Sequence, residues 1–138
     1  MKVMVSACLL GENCKYNGDN NYSEKVAAYI KGKTVIPVCP EVLGGLPVPR
    51  MPCEIVSGVV RSEDGHSFDD EYRRGAEYAL HILRREKPDI VILQSRSPSC
   101  GVKQIYDGTF TGTKIPGHGV FAALAIQEGV PVMDVEDL

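Results

Sequence analysis

The amino-acid sequence predicts a three-layer, Rossmann-like α/β fold with a mainly parallel sheet. Three observations predict it. Short apolar runs recur at "KVMVS", "TVIPV", "DIVIL" and "VPVMDV"; helical patterns stand between them; and glycine and proline punctuate the joins. Strands alternating with helices make βαβ units, whose right-handed crossovers lay helices on both faces of a parallel sheet. With 138 residues the chain is read as one domain, 1–138, long enough to bury a core without disulfides.

The elements follow in order. "KVMVSACLL" reads as strand, and "GENCKYNGDNN" after it as loop. Ser23 caps a helix over "EKVAAYIK", with Glu24 in its first turn and Gly32 as its stop. "TVIPV" is the second strand. The Pro- and Gly-dense "CPEVLGGLPVPRMPCE" is expected to hold no helix. "EIVSGVV" reads as a small antiparallel excursion that turns at Ser57 and Gly58. Asp69 is expected to cap a long amphipathic helix, in which Tyr72, Ala76, Ala79, Leu80 and Leu83 recur at helical spacing until Pro88. "DIVILQ" is the third strand, "GVKQIYDGTFTGTKIPGHG" a loop, "VFAALAIQEG" a helix stopped by Gly129, and "VPVMDV" the last strand.

Composition limits the partners. The net charge is −3, so no broad basic face is expected to bind a nucleic-acid backbone, whereas a small base or nucleotide fits. No run approaches the roughly 18 apolar residues of a membrane span, and no basic segment opens a signal peptide. A cytoplasmic protein is the expectation. An odd number of cysteines, five, argues against a disulfide framework and towards metal or thiol chemistry.

Three of those cysteines occupy equivalent places: Cys8 after "VMVSA", Cys39 after "TVIPV" and Cys100 just past "IVILQ". The carboxyl ends of parallel strands lie along one sheet edge, where open α/β sheets place ligands, so the three thiols are expected to converge. Three thiolates suit zinc or an iron–sulfur cluster. A closed zinc site wants a fourth ligand, from Cys14, Cys53 or His118, but CxxC spacings are absent. Burial of three small apolar thiols explains the same pattern.

The blocks "SACLLG", "PVCPEVLGGLPVPR", "SRSPSCG" with "IYDGTFTG", and "GHGV" resemble, in order and over essentially the whole chain, the signature of the DUF523 family, which includes thiouracil desulfurases. The resemblance implies a 4Fe-4S cluster on three cysteines with one iron left open, and non-redox removal of sulfur from thiolated uracil derivatives. Carried over by position, the cluster ligands are Cys8, Cys39 and Cys100, and Cys14 and Cys53 are non-ligands. Where the family resembles "GxDVT" this chain has "GHSFD", so Ser67 replaces a carboxylate.

Replacing a thiocarbonyl sulfur by water needs a base and a proton donor. Glu41, two residues past Cys39, is the best-placed base, and Ser97 is ranked first among the serines because it matches the family's pocket position. Ser99, Arg96 and Tyr106 are candidate substrate contacts, and Arg50 and Arg96 candidate partners for a phosphate. Turn chemistry and surface ion pairs explain these residues too. A second function class, a metal or sulfur carrier using the cysteines alone, has no need of Glu41. The substrate that the resemblance implies is a small thiolated pyrimidine.

Overall fold

The structure, a computed structural model, describes residues 1–138. Its centre is a four-stranded parallel sheet built from β1 (Lys2–Ser6), β2 (Thr34–Val38), β5 (Ile90–Leu93) and β8 (Val132–Asp134), in the order β2-β1-β5-β8. The α/β expectation with a parallel sheet is met. Side chains alternate along β1: Met4 joins one core while Val3 and Val5 join the other, all fully buried. Both sheet faces are covered, which is why the strands read as continuous apolar runs.

On one face lie α3 (Asp69–Glu86) and α4 (Val120–Gln127), whose Ala76, Ala79, Leu83, Phe121, Ala122 and Ala125 pack on Met4, Val91 and Leu93. Small alanines let helix and sheet approach closely, and the larger side chains each contribute roughly 1.5–3 kcal/mol by burial. The other face is covered by α1 (Glu24–Tyr29) through Val26, together with Leu9 and the C-terminal Val135 and Leu138. Ser23 caps α1 as expected, its hydroxyl accepting from the Val26 amide at 3.2 Å.

Three local readings change and one is met. The Pro-rich segment does contain one helical turn, α2 (Pro40–Leu43): Pro40 occupies its first position, where a missing N–H costs nothing. Phe68, not Asp69, caps α3; Asp69 lies inside the first turn, its carboxylate accepting from the Val60 amide at 3.0 Å and from Arg73 Nε at 2.6 Å. The excursion at "EIVSGVV" is a hairpin, β3 (Cys53–Val56) and β4 (Val59–Ser62), with Ser57 and Gly58 at φ 49° and 80°, both left-handed as a tight hairpin turn requires. The loop after Cys100 also folds into a hairpin, β6 (Gln104–Tyr106) and β7 (Lys114–Pro116); its glycines and threonines hid a pairing that only three residues per strand sustain.

One helix contact positions the site. A Cβ on Gly75 of α3 would sit 1.7 Å from the Pro40 carbonyl oxygen, and one on Gly44 would sit 2.0 Å from that of Glu71. Only hydrogen side chains let α2 lie backbone to backbone on α3, which seats the Cys39–Glu41 turn at the end of β2. No helix is long and apolar enough to cross a membrane.

Candidate active site

Cys8, Cys39 and Cys100 each follow a strand of the parallel sheet, and all three line one cavity of about 290 Å³ at its carboxyl edge. The sheet order steps from β1 to β2 on one side and from β1 to β5 on the other, so the cavity stands at the switch in strand order. Cys8 enters in a 3-10 turn (Ala7–Leu10), and Asn21 Nδ2 donates to its sulfur at 3.5 Å. Cys39 caps α2, and the Val42 amide of that turn faces its sulfur. Cys100 is buried beyond "SRSP".

Cys14, read as a non-ligand, lines the same cavity, where its thiol interacts with the sulfurs of Cys8 and Cys39. That contact is the main reason the Cys8 thiol is pulled down to about 7, with burial opposing and Asn21 assisting. Cys39 is lowered by the same Cys14 hydrogen bond, and Cys14 itself is pushed up by its two sulfur neighbours. Burial pushes Cys100 well up. Two of the three strand-end sulfurs are thus biased towards thiolate, the form that binds metal.

Glu41 is the hub of the polar wall. Its Oε1 accepts from Arg50 Nε and from the Tyr72 hydroxyl, each at 3.0 Å; its Oε2 accepts from the hydroxyls of Ser97 at 3.3 Å and Ser99 at 3.1 Å. Arg50 is therefore no free phosphate partner. Its side chain is 6% exposed, ion-paired to Glu41 and donating from Nη2 to the Cys14 carbonyl at 2.8 Å. Burial works against the Arg50 cation, but the facing carboxylate outweighs it and holds its pKa above the usual value.

The serine loop is built to present Ser97. The Ser97 hydroxyl accepts from the amides of Ser99 and Cys100 at 3.0 and 3.1 Å, which leaves its proton for Glu41. The carbonyls of Pro98 and Ser99 accept from the first amides of α4, so the loop satisfies that helix's open N-terminus. Ser99 is 1% exposed and lies behind the cavity wall, its hydroxyl given to Glu41. Ser95 donates instead to buried Asp134 at 2.5 Å.

Arg96 lines the cavity with φ 61° and pairs with Glu136 at 2.9 Å, leaving it only partly available to a ligand. Tyr106, on β6, also lines the cavity. His118 stays out: its Nδ1 meets the Val102 carbonyl. Sequence reasoning missed Tyr72 as a site residue because helical spacing assigns it to the core, and it is indeed 2% exposed, with only its hydroxyl reaching Glu41. Glu54 and Phe110, also on the cavity wall, gave no signal beyond their neighbourhood to other motifs.

Comparison with known proteins gives the chain's family and fold. The family model described as 2-thiouracil desulfurase matches residues 3–137. The uncharacterized protein YbbK of Bacillus subtilis (strain 168) is 38% identical over 99% of this chain and 97% of its own length. The solved structure of the 4Fe-4S-dependent thiouracil desulfidase TudS superposes with a TM-score of 0.92 at 37% identity, covering 99% of this chain and 92% of that one. Matched from its first strand to its last, the chain belongs to the 2-thiouracil desulfurase family.

Proposed function

We propose that the protein is a 4Fe-4S-dependent desulfurase that replaces the thiocarbonyl sulfur of a thiolated uracil derivative with oxygen from water, the sulfur leaving with the water's two protons as hydrogen sulfide and no change of oxidation state. The observation that carries this reading is that Cys8, Cys39 and Cys100 line one cavity, which the hydrogen-bonded pair Glu41 and Ser97 also lines. The donor set fits the cluster: soft sulfur ligands come from three separate strand ends, with Cys8 and Cys39 already biased to thiolate. Cys8, Cys39 and Cys100 would hold it. When bound, the cluster supplies a Lewis-acidic iron for the soft substrate sulfur.

The chain's own residues supply the proton chemistry. Glu41, paired with the Arg50 guanidinium and hydrogen-bonded by three hydroxyls, accepts a proton from water through its Oε2 side, where the Ser97 hydroxyl bridges it to the cavity. Arg50 and Tyr72 orient the carboxylate. Arg96 and Tyr106 contact the substrate at the rim. Thiouracil itself, its nucleoside and its nucleotide are all thiolated uracils that this wall could serve. A carrier of metal or sulfur would have no use for a carboxylate held by four donors beside its ligands.

Anaerobic purification with iron and sulfide counts tests the cofactor, with about four of each per chain expected. Loss of thione absorbance from 2- or 4-thiouracil tests the reaction. Cys100→Ala is expected to lose the iron, and Cys14→Ala to keep it. Cluster-loaded protein inert towards every thiolated pyrimidine would remove the enzyme reading, and colourless protein with tight zinc would favour the carrier.

A further inference from the structure

One feature of the cavity wall is left unexplained by this chemistry: the loop between β6 and β7, which carries Phe110. Phe110 lines the cavity, is only half-buried, and has φ 58°, a left-handed backbone that a bulky side chain rarely adopts. The loop is nonetheless held firmly. Glu54 Oε1, on β3, accepts from the Gly108 amide at 3.0 Å and the Phe110 amide at 3.2 Å, and the Glu54 carboxylate has no cationic partner. Gly108 makes that approach possible, since a Cβ there would lie 2.7 Å from the Ile55 carbonyl oxygen. Asp107 and the threonines at 109, 111 and 113 hydrogen-bond to one another along the same loop.

A chain that only needed a turn here would place glycine or asparagine at position 110, because either adopts this backbone at little cost. Retaining a phenyl ring in strained backbone, with a carboxylate latching the two amides around it, makes sense if the ring has work in the cavity. Glu41 and Ser97, hydrogen-bonded to each other, line the same cavity and supply it with polar groups. Phe110 offers the wall an apolar face, and the flat face of a pyrimidine is the surface that an aromatic ring recognises.

We propose that Phe110 is a specificity-determining residue: its ring stacks on the substrate's pyrimidine ring, and Glu54 is the positioning residue that latches the loop in the stacking conformation. This rests on the functional reading above for the identity of the ring. Stacking selects planar aromatic thiocarbonyl compounds over saturated ones, a discrimination the cysteines and Glu41 cannot make because they see only the sulfur and its carbon.

The test uses the cluster-loaded full chain. Phe110→Ala is expected to raise KM for 2-thiouracil about ten-fold with kcat within about three-fold, and to narrow the preference for 2-thiouracil over its 5,6-dihydro form by a similar factor. Phe110→Tyr retains both. Glu54→Ala is expected to raise KM likewise and to speed amide hydrogen exchange at Gly108 and Phe110, whereas Glu54→Gln keeps an accepting oxygen and the wild-type exchange. The double variant Glu54→Ala/Phe110→Ala should be no worse than Phe110→Ala alone. The chain contains six tyrosines but no tryptophan, so Phe110→Trp provides a single tryptophan, excited selectively at the red edge, whose emission should change on adding uracil. Unchanged KM in Phe110→Ala, or unchanged exchange in Glu54→Ala, overturns the inference. If the wild type turns over no thiolated pyrimidine, the reaction assignment fails separately, and Phe110→Trp emission unmoved by uracil overturns stacking whatever the turnover.

Discussion

The Tyr72 hydroxyl donates to Glu41 Oε1 at 3.0 Å, joining the long helix α3 to the turn after β2. Burial and the facing carboxylate both push the phenol well above its usual range, so at any working pH it is a donor and not a base. Tyr72→Phe keeps the packing and removes this one donor. A loss of about 1 kcal/mol in stability is expected, with kcat falling about ten-fold and KM little moved, because the carboxylate is less firmly oriented. Denaturant unfolding and steady-state kinetics check it; a rise in KM alone would show that Tyr72 serves binding rather than Glu41.

Glu41 and Arg50 are a mostly buried ion pair, with side chains 13% and 6% exposed. Glu41→Gln leaves the Arg50 cation without its counter-charge, and a loss of about 3 kcal/mol is expected. Activity should vanish while iron content stays, since no cluster ligand changes. Adding Arg50→Met is expected to restore much of the stability and none of the activity. Melting curves and iron counts on the single and double variants separate the two effects.

At Gly75 two effects oppose. Alanine is favoured over glycine within a helix by about 1 kcal/mol, but its Cβ would stand 1.7 Å from the Pro40 carbonyl oxygen. That contact is with backbone and cannot be relieved by a rotamer change. Gly75→Ala is therefore expected to lower stability by about 2 kcal/mol net and to reduce iron retention by pushing Cys39 outward. A stabilised variant with full iron would show that α2 tolerates displacement.

Asp69 ties β4 to α3. Burial alone would raise its pKa, but the hydrogen bond from Arg73 and the Val60 amide outweigh it, and the folded-state value is depressed. A depressed carboxylate contributes stability that is full above the unfolded pKa of about 3.9 and is lost as pH falls through the lower folded value. Asp69→Asn is expected to flatten that acid limb of the stability profile and to change little near neutrality beyond the lost Arg73 pair, which chemical unfolding across pH 2–7 would reveal (range about that of carboxylate titration).

Much of this protein was legible in the sequence. Val-rich runs at 2–6, 34–38, 90–93 and 132–134 announced a two-faced parallel sheet, and the parallel edge then gathered Cys8, Cys39 and Cys100 without any knowledge of contacts. Position after a strand is a local property, and parallel geometry converts it into proximity. Glu41 and Ser97 came from their neighbourhood to those cysteines and from the family resemblance. The structure places their oxygens 3.3 Å apart.

Other features depended on the tertiary structure. Arg50 became the partner of Glu41 and not of a phosphate, Ser99 turned behind the wall, Cys14 joined the sulfurs, and Tyr72 sent one hydroxyl out of the core. Each outcome depends on which of several accessible partners a long or mobile side chain meets once α2, α3 and the serine loop are packed. Hydrophobic periodicity encodes the direction in which a residue faces. Pairing of polar atoms is decided later, by distances of about 3 Å that close packing alone sets.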